Sequence, residues 1–120
     1  MSEYKDEIID HYKNPRNFGV IDGCALAITE ANSSCGDVIK VFMEVDGDRV
    51  KSVKWQGVGC AISTAAASML SEKITNMSLS EVREISEDEV MEMLGGEVSA
   101  GRKKCATLAH RAILKMLDQI

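Results

Sequence analysis

The chain has 120 residues and a formal net charge of −5, with 45% apolar and 28% charged residues. At this length roughly two-thirds of the unfolded surface can be buried, so one domain spanning residues 1–120 is expected, with a core that needs no cross-links. The acidic balance disfavours a nucleic-acid binder, no apolar run approaches the ~20 residues that span a bilayer, and the charged start from Met1 to Glu7 offers no signal segment, which points to the cytoplasm.

Residues 3–13 read as an amphipathic helix, with Tyr4, Ile8 and Tyr12 recurring every four residues. Asn14-Pro15 ends it, because the residue before a proline is pushed out of the α region. A loop follows to Gly23. Ala25 to Ala31 is a weak strand, interrupted by the turn-prone run Asn32-Ser33-Ser34-Cys35-Gly36-Asp37. Val38 to Val45 alternates clearly, with Ile39, Val41, Met43 and Val45 on one face. Asp46-Gly47-Asp48 is a hairpin turn, and Val50 to Gln56 returns with Val53 and Trp55 inward.

After Gly57-Val58-Gly59-Cys60 the period becomes helical. Ile62, Ala65, Ala66, Met69 and Leu70 form the stripe, leaving Ser63, Ser71 and Lys73 outside it. Ser78-x-x-Glu81 and Ser86-x-x-Glu89 are capping boxes that open two short helices, and Gly95-Gly96 stops the second. A last helix runs from about Lys103 to Leu117, with Cys105, Leu108, Ala109, Ala112 and Met116 on one face. The fold class is α+β, a three-stranded antiparallel sheet covered by helices. Met43, Met69 and Met116 read as core filling. Tyr4, Tyr12 and Trp55 do too, whereas His11 reads as a surface or capping side chain.

The four cysteines, Cys24, Cys35, Cys60 and Cys105, are the unusual feature. A chain without export signals is expected to keep its thiols free, and no Cys-x-x-Cys pair supports a zinc ribbon or a redox motif. Cys35 stands beside Gly36, Cys60 follows Gly59 at a helix start, and Cys105 opens the last helix after Arg102-Lys103-Lys104. Helix starts and neighbouring cations favour thiolate, and a glycine beside a thiol lets a ligand approach the backbone. These surroundings suit reactive or metal-binding thiolates, although a buried free cysteine also serves as a small hydrophobe. Spacing alone does not bring the three together.

The run Asp10-His11-Tyr12-Lys13-Asn14-Pro15-Arg16-Asn17 resembles the N-terminal signature of IscU/NifU-type iron–sulfur cluster assembly scaffolds. Cys35-Gly36-Asp37, the Gly57-Val58-Gly59-Cys60 run into a Ser/Ala-rich helix and a third cysteine opening the last helix are similar to that family's other motifs, in the family's order. The resemblance implies a non-enzymatic scaffold that takes sulfur as persulfide from a cysteine desulfurase. On it a [2Fe-2S] cluster is built and passed to recipient apoproteins. It places Cys35, Cys60 and Cys105 as cluster thiolates and Asp37 as the carboxylate that tunes cluster lability. A carboxylate is a harder, weaker iron ligand than a fourth thiolate, so such a site holds a cluster and can release it. Cys105, in the most basic surroundings, is the candidate persulfide acceptor.

Two departures matter. Lys104 stands where most of these scaffolds carry a ligand histidine, and a lysine ammonium has no lone pair to offer. His110, five helical residues beyond Cys105, is rotated about 140° away from it. The fourth ligand is therefore expected from Asp37, a partner protein or a second subunit in a cluster-bound homo-oligomer. The Lys104 to Ala109 run instead resembles the SufU branch, zinc-bound sulfurtransferases that accept persulfide, although the short Cys60-to-Cys105 interval is scaffold-like. Zn2+ is thus the alternative cofactor, and a structural zinc domain a further reading. The Leu-Pro-Pro motif by which a dedicated chaperone binds many such scaffolds is absent, since Glu97-Val98-Ser99-Ala100-Gly101 stands there. Cys24 lies outside the family pattern.

Overall fold

A computed structural model describes residues 6–23, 26–32, 36–95 and 102–120. Three strands, β1 (Leu26–Asn32), β2 (Asp37–Asp46) and β3 (Arg49–Val58), form one antiparallel meander in that order. Alternation sets its two faces. In β2, Asp37, Ile39, Val41 and Met43 are buried while Val38, Lys40 and Glu44 are exposed, the pattern of a sheet packed on one side. Gly47, at φ 64°, takes the first of two turn positions between Asp46 and Arg49, where a positive φ suits the twist of a tight hairpin.

The helices cover the inner face. They are α1 (Asp6–Lys13), α2 (Ala61–Ile74), α3 (Leu79–Glu84), α4 (Glu87–Met93), α5 (Lys103–Ala106) and α6 (Leu108–Leu117). The central one is α2. Ala67, Leu70 and Ile74 join the sheet-side core with Val41, Met43, Val53, Trp55 and Ile113. Ile62, Ala65, Ala66 and Met69 pack in a second core with Ile8, Leu94, Cys105 and Ala106. Buried on both sides along most of its length, α2 exposes Glu72 and Lys73, while Ser63 and Ser71, expected outside the stripe, are 7% and 1% exposed. Their hydroxyls are satisfied locally, donating to the carbonyls of Cys60 (3.0 Å) and Ser68 (2.7 Å), which makes burial affordable.

Other expectations also need correction. Tyr12 is 47% exposed, and His11 takes the buried place at 6%. Trp55 is core, as expected. The Ser78 capping box forms in full, whereas at the next helix Ser86 accepts from the Glu89 N–H without the reciprocal bond. Gly95, at φ 91°, ends α4. The last helix is broken at Thr107, whose backbone leaves the helical region (φ −103°, ψ 9°) while its N–H and its hydroxyl both donate to the Lys103 carbonyl, at 3.0 and 2.8 Å.

Gly57 lies in a close approach between β3 and β2. A Cβ there would stand 2.7 Å from the Val38 carbonyl oxygen, a backbone atom that cannot turn aside. Gly57→Ala is expected to cost about 1–3 kcal/mol, read as a lowered urea midpoint with unchanged slope.

Candidate metal centre

The core-facing row of β2 ends in Asp37, a carboxylate only 3% exposed. Ile39, Val41 and Met43 follow it at the strand's period of two, so chain geometry turns it toward the helices. Glycine makes room for it: a Cβ at Gly59 would collide with Ser63 Oγ and stand 3.0 Å from Asp37 Oδ1. The next residue, Cys60, caps α2 in extended conformation without a side-chain capping bond. Its Sγ lies 3.9 Å from Asp37 Oδ2. Cys105, 1% exposed, reaches the same point from α5. The donor atoms of Asp37, Cys60 and Cys105 all lie within 4.8 Å of one another.

The surroundings of Cys60 oppose one another. Burial pushes its thiol up, and the Asp37 carboxylate adds to that. The amide and side chain of Ser63 and the Ile62 amide outweigh both, and the thiol sits below its ordinary value. Amides at the first turn of a helix stabilise a negative sulfur in this way. The donor set fits a metal. Two thiolates and a carboxylate suit zinc or iron, and bonds of ~2.0–2.3 Å bring donors on one ion to within about 4 Å of each other, a small contraction of this trio.

The remaining candidates divide. Cys24 and Cys35 fall outside the described residues, as do Tyr4, Gly96 and the Glu97-to-Gly101 segment. Lys104 is exposed, and its carbonyl accepts from Arg111 Nη2 at 3.2 Å. His110 is 4% exposed and bonded through Nε2 to the Ile85 carbonyl at 2.8 Å. It ties α6 to the α3–α4 corner.

Asn32 is the site residue that sequence reasoning passed over. It is 5% exposed, pairs with Asp37 across the ladder, and places Nδ2 3.8 Å from Cys105 Sγ. The signal available was phase within β1, where Asn32 falls on the same face as Ile28 and Glu30. The turn propensity of residues 32–37 hid it. The chain neighbours Val38, beside Asp37, and Val58, before Gly59-Cys60, are 43% and 77% exposed.

The NifU-like N-terminal domain family matches residues 3–119. The chain belongs to that family. It is 33% identical to the iron-sulfur cluster assembly scaffold protein IscU 1 of Archaeoglobus fulgidus, over 95% of this chain and 74% of that one. It is 36% identical to the zinc-dependent sulfurtransferase SufU of Bacillus subtilis, over 93% and 87%. Among solved structures, a SUF-system scaffold protein from Fervidobacterium islandicum superposes with a TM-score of 0.82 at 25% identity, covering 96% of each chain. A NifU-like N-terminal domain from Brucella abortus gives 0.81 over 97% and 92%, and at 17% identity it speaks for the fold alone. Family members thus include both cluster scaffolds and a zinc-dependent sulfurtransferase. No helix among the described residues is long and apolar enough to cross a membrane.

Proposed function

We propose that the chain is an iron–sulfur cluster assembly scaffold, with Cys35, Cys60, Cys105 and Asp37 as the cluster-holding set. The observation that carries this reading is the convergence of Asp37, Cys60 and Cys105 from three separate elements. The cluster is cargo, received in parts and released to recipient apoproteins. Sulfur arrives from a cysteine desulfurase as a persulfide. An acceptor thiolate attacks its outer sulfur, the donor's S–S bond breaks, and the donor cysteine leaves as thiolate. Each transferred sulfur then needs two electrons from an external reductant to become sulfide.

Cys105 is the acceptor we assign, on its place after Lys103 and Lys104. Its 1% exposure requires the α5 segment to open when the donor docks. Asp37 is the fourth ligand we assign where Lys104 replaces histidine, and a protein partner or a second subunit is the alternative source.

A second reading has its own support. Asp37, Cys60 and Cys105 are compact enough to sit on a single ion, and a zinc-dependent sulfurtransferase is among the relatives, at 36% identity. In that reading zinc is resident and the chain accepts persulfide without building a cluster.

Anaerobic purification followed by iron, sulfide and zinc analysis separates the two. Reconstitution with desulfurase, cysteine and ferrous iron is expected to give [2Fe-2S] absorption that is lost in Cys35→Ser and kept in Cys24→Ser. Stoichiometric zinc with no cluster would establish the sulfur-acceptor reading instead. Asp37→Ala is expected to retain its cluster longer under air than the wild type. Faster loss would contradict the lability assigned to the carboxylate.

A further inference from the structure

Asn32 ends β1 at the site. Opposite Asp37 in the ladder, its side chain leaves the same face of the sheet. The Gly36 N–H donates to its carbonyl at 2.9 Å and joins the two strand ends. Its amide Nδ2 donates toward Cys105 Sγ at 3.8 Å in a buried contact. Two residues upstream on the same face, Glu30 takes Lys115 at 2.8 Å and Arg111 at 3.8 Å. Arg111 in turn holds the Lys104 carbonyl and, at 2.8 Å, the Thr107 hydroxyl. The end of β1 is thereby tied to residues on either side of Cys105.

We propose that Asn32 is a positioning residue for the Cys105 sulfur. Its side-chain N–H orients the thiolate toward Asp37 and Cys60 and draws electron density from it when it ligates a metal. This rests on the metal-centre reading above. Outer partners of metal ligands fix ligand orientation and tune affinity, and hydrogen bonds to sulfur shift the electronic energy of thiolate-bound metals. The Glu30–Arg111 pairs keep the helix segment at the distance this one bond needs.

Two measurements test it on the full chain. The first loads the wild type with spin-active cadmium and looks for scalar coupling between the metal and the Asn32 side-chain amide protons, which passes only through an N–H···S–metal path. The second compares cobalt(II)-loaded wild type with Asn32→Leu, which keeps the branching and number of side-chain heavy atoms and has no donor. The sulfur-to-cobalt charge-transfer band is expected to move to lower energy in the variant, and chelator competition to show about tenfold weaker binding.

Cadmium bound through the thiolates without coupling to Asn32 overturns the proposal, whether or not the variant folds. Weaker binding with an unmoved band also overturns it, because that is the signature of a general structural defect. Undiminished cadmium binding in both Cys60→Ser and Cys105→Ser would remove the metal-centre reading itself.

Discussion

Cys60→Ser is expected to lose stoichiometric metal while keeping, or slightly raising, the unfolding temperature of the metal-free wild type. Cys60 is the N-cap of α2 and makes no side-chain capping bond. Serine is among the best N-cap residues, and filling an empty cap adds about 0.5–1 kcal/mol to helix stability. A serine hydroxyl stays protonated near neutral pH and is a poor partner for zinc or iron in a thiolate site. Function and stability therefore move apart, and in a known direction. Metal content by mass spectrometry and thermal unfolding of the same sample check both halves. Wild-type metal stoichiometry in Cys60→Ser would show that the trio is not the binding centre. Cys105→Ser is less clean. That residue is 1% exposed among Ile62, Ala66, Leu94 and Ala106, and burying a hydroxyl there costs about 1–3 kcal/mol by itself.

The sheet was legible because its pattern is local. Ile39, Val41 and Met43 alternate with exposed neighbours over enough residues to fix face and direction, and Asp46-Gly47-Asp48 announces the hairpin. The site was legible in part for the same kind of reason. Asp37 lies in phase with that row, and Gly59-Cys60 opens a helix.

What sequence did not carry was long-range satisfaction of polar groups. His11 looks like a surface residue on α1, yet Ser68 Oγ, 57 residues away, lies 2.7 Å from its Nδ1. The same oxygen accepts the Arg16 N–H at 2.8 Å. On the other side of the ring, Nε2 lies 3.7 Å from a Glu72 carboxylate oxygen. A buried polar pair of this kind follows from tertiary packing, and no periodicity displays it. The break at Thr107 was hidden likewise. The apolar face from Cys105 to Met116 continues through it, and the break is a change of backbone angle at Thr107 that leaves its N–H bond to the Lys103 carbonyl in place.

The N-terminal motif takes its meaning from the same contacts. Residues 14–19 form a strap laid along the free edge of β3 and over α2. Asn17, in the left-handed region at φ 59°, bends the strap and donates from Nδ2 to Ser71 Oγ at 3.1 Å. The motif's arginine is anchored to Asp10 at 2.6 Å. By these contacts the segment acts as a clasp for the helix that begins at Cys60, and it contributes no donor to the trio.

Trp55→Ala should show what that clasp is worth. The Trp55 N–H donates to the Asn17 carbonyl (3.1 Å), its own carbonyl accepts from Gly19 (2.8 Å), and its indole N–H donates to the Arg16 carbonyl at 2.9 Å. Phe18 meets the ring edge-on, centroids 5.0 Å apart, and the residue is 2% exposed. Truncating a buried tryptophan costs about 3–5 kcal/mol, a large share of the ~5–15 kcal/mol that holds a domain folded. The backbone bonds of the strap survive such a change, and the carbonyl that loses the indole N–H belongs to half-buried Arg16. Cavity formation, rather than a stranded carbonyl, is therefore the larger part of the loss. Trp55→Phe, which keeps most of the volume and drops the indole N–H, is expected to cost only about 1–2 kcal/mol. The chain has a single tryptophan, so the comparison is made by urea unfolding followed by far-UV circular dichroism. The alanine variant should also bind metal more weakly, because a loosened strap frees the helix that presents Cys60. Where Cys60→Ser separates metal from stability, Trp55→Ala is expected to lower both together. A loss below about 1 kcal/mol would show that strap and core are energetically independent.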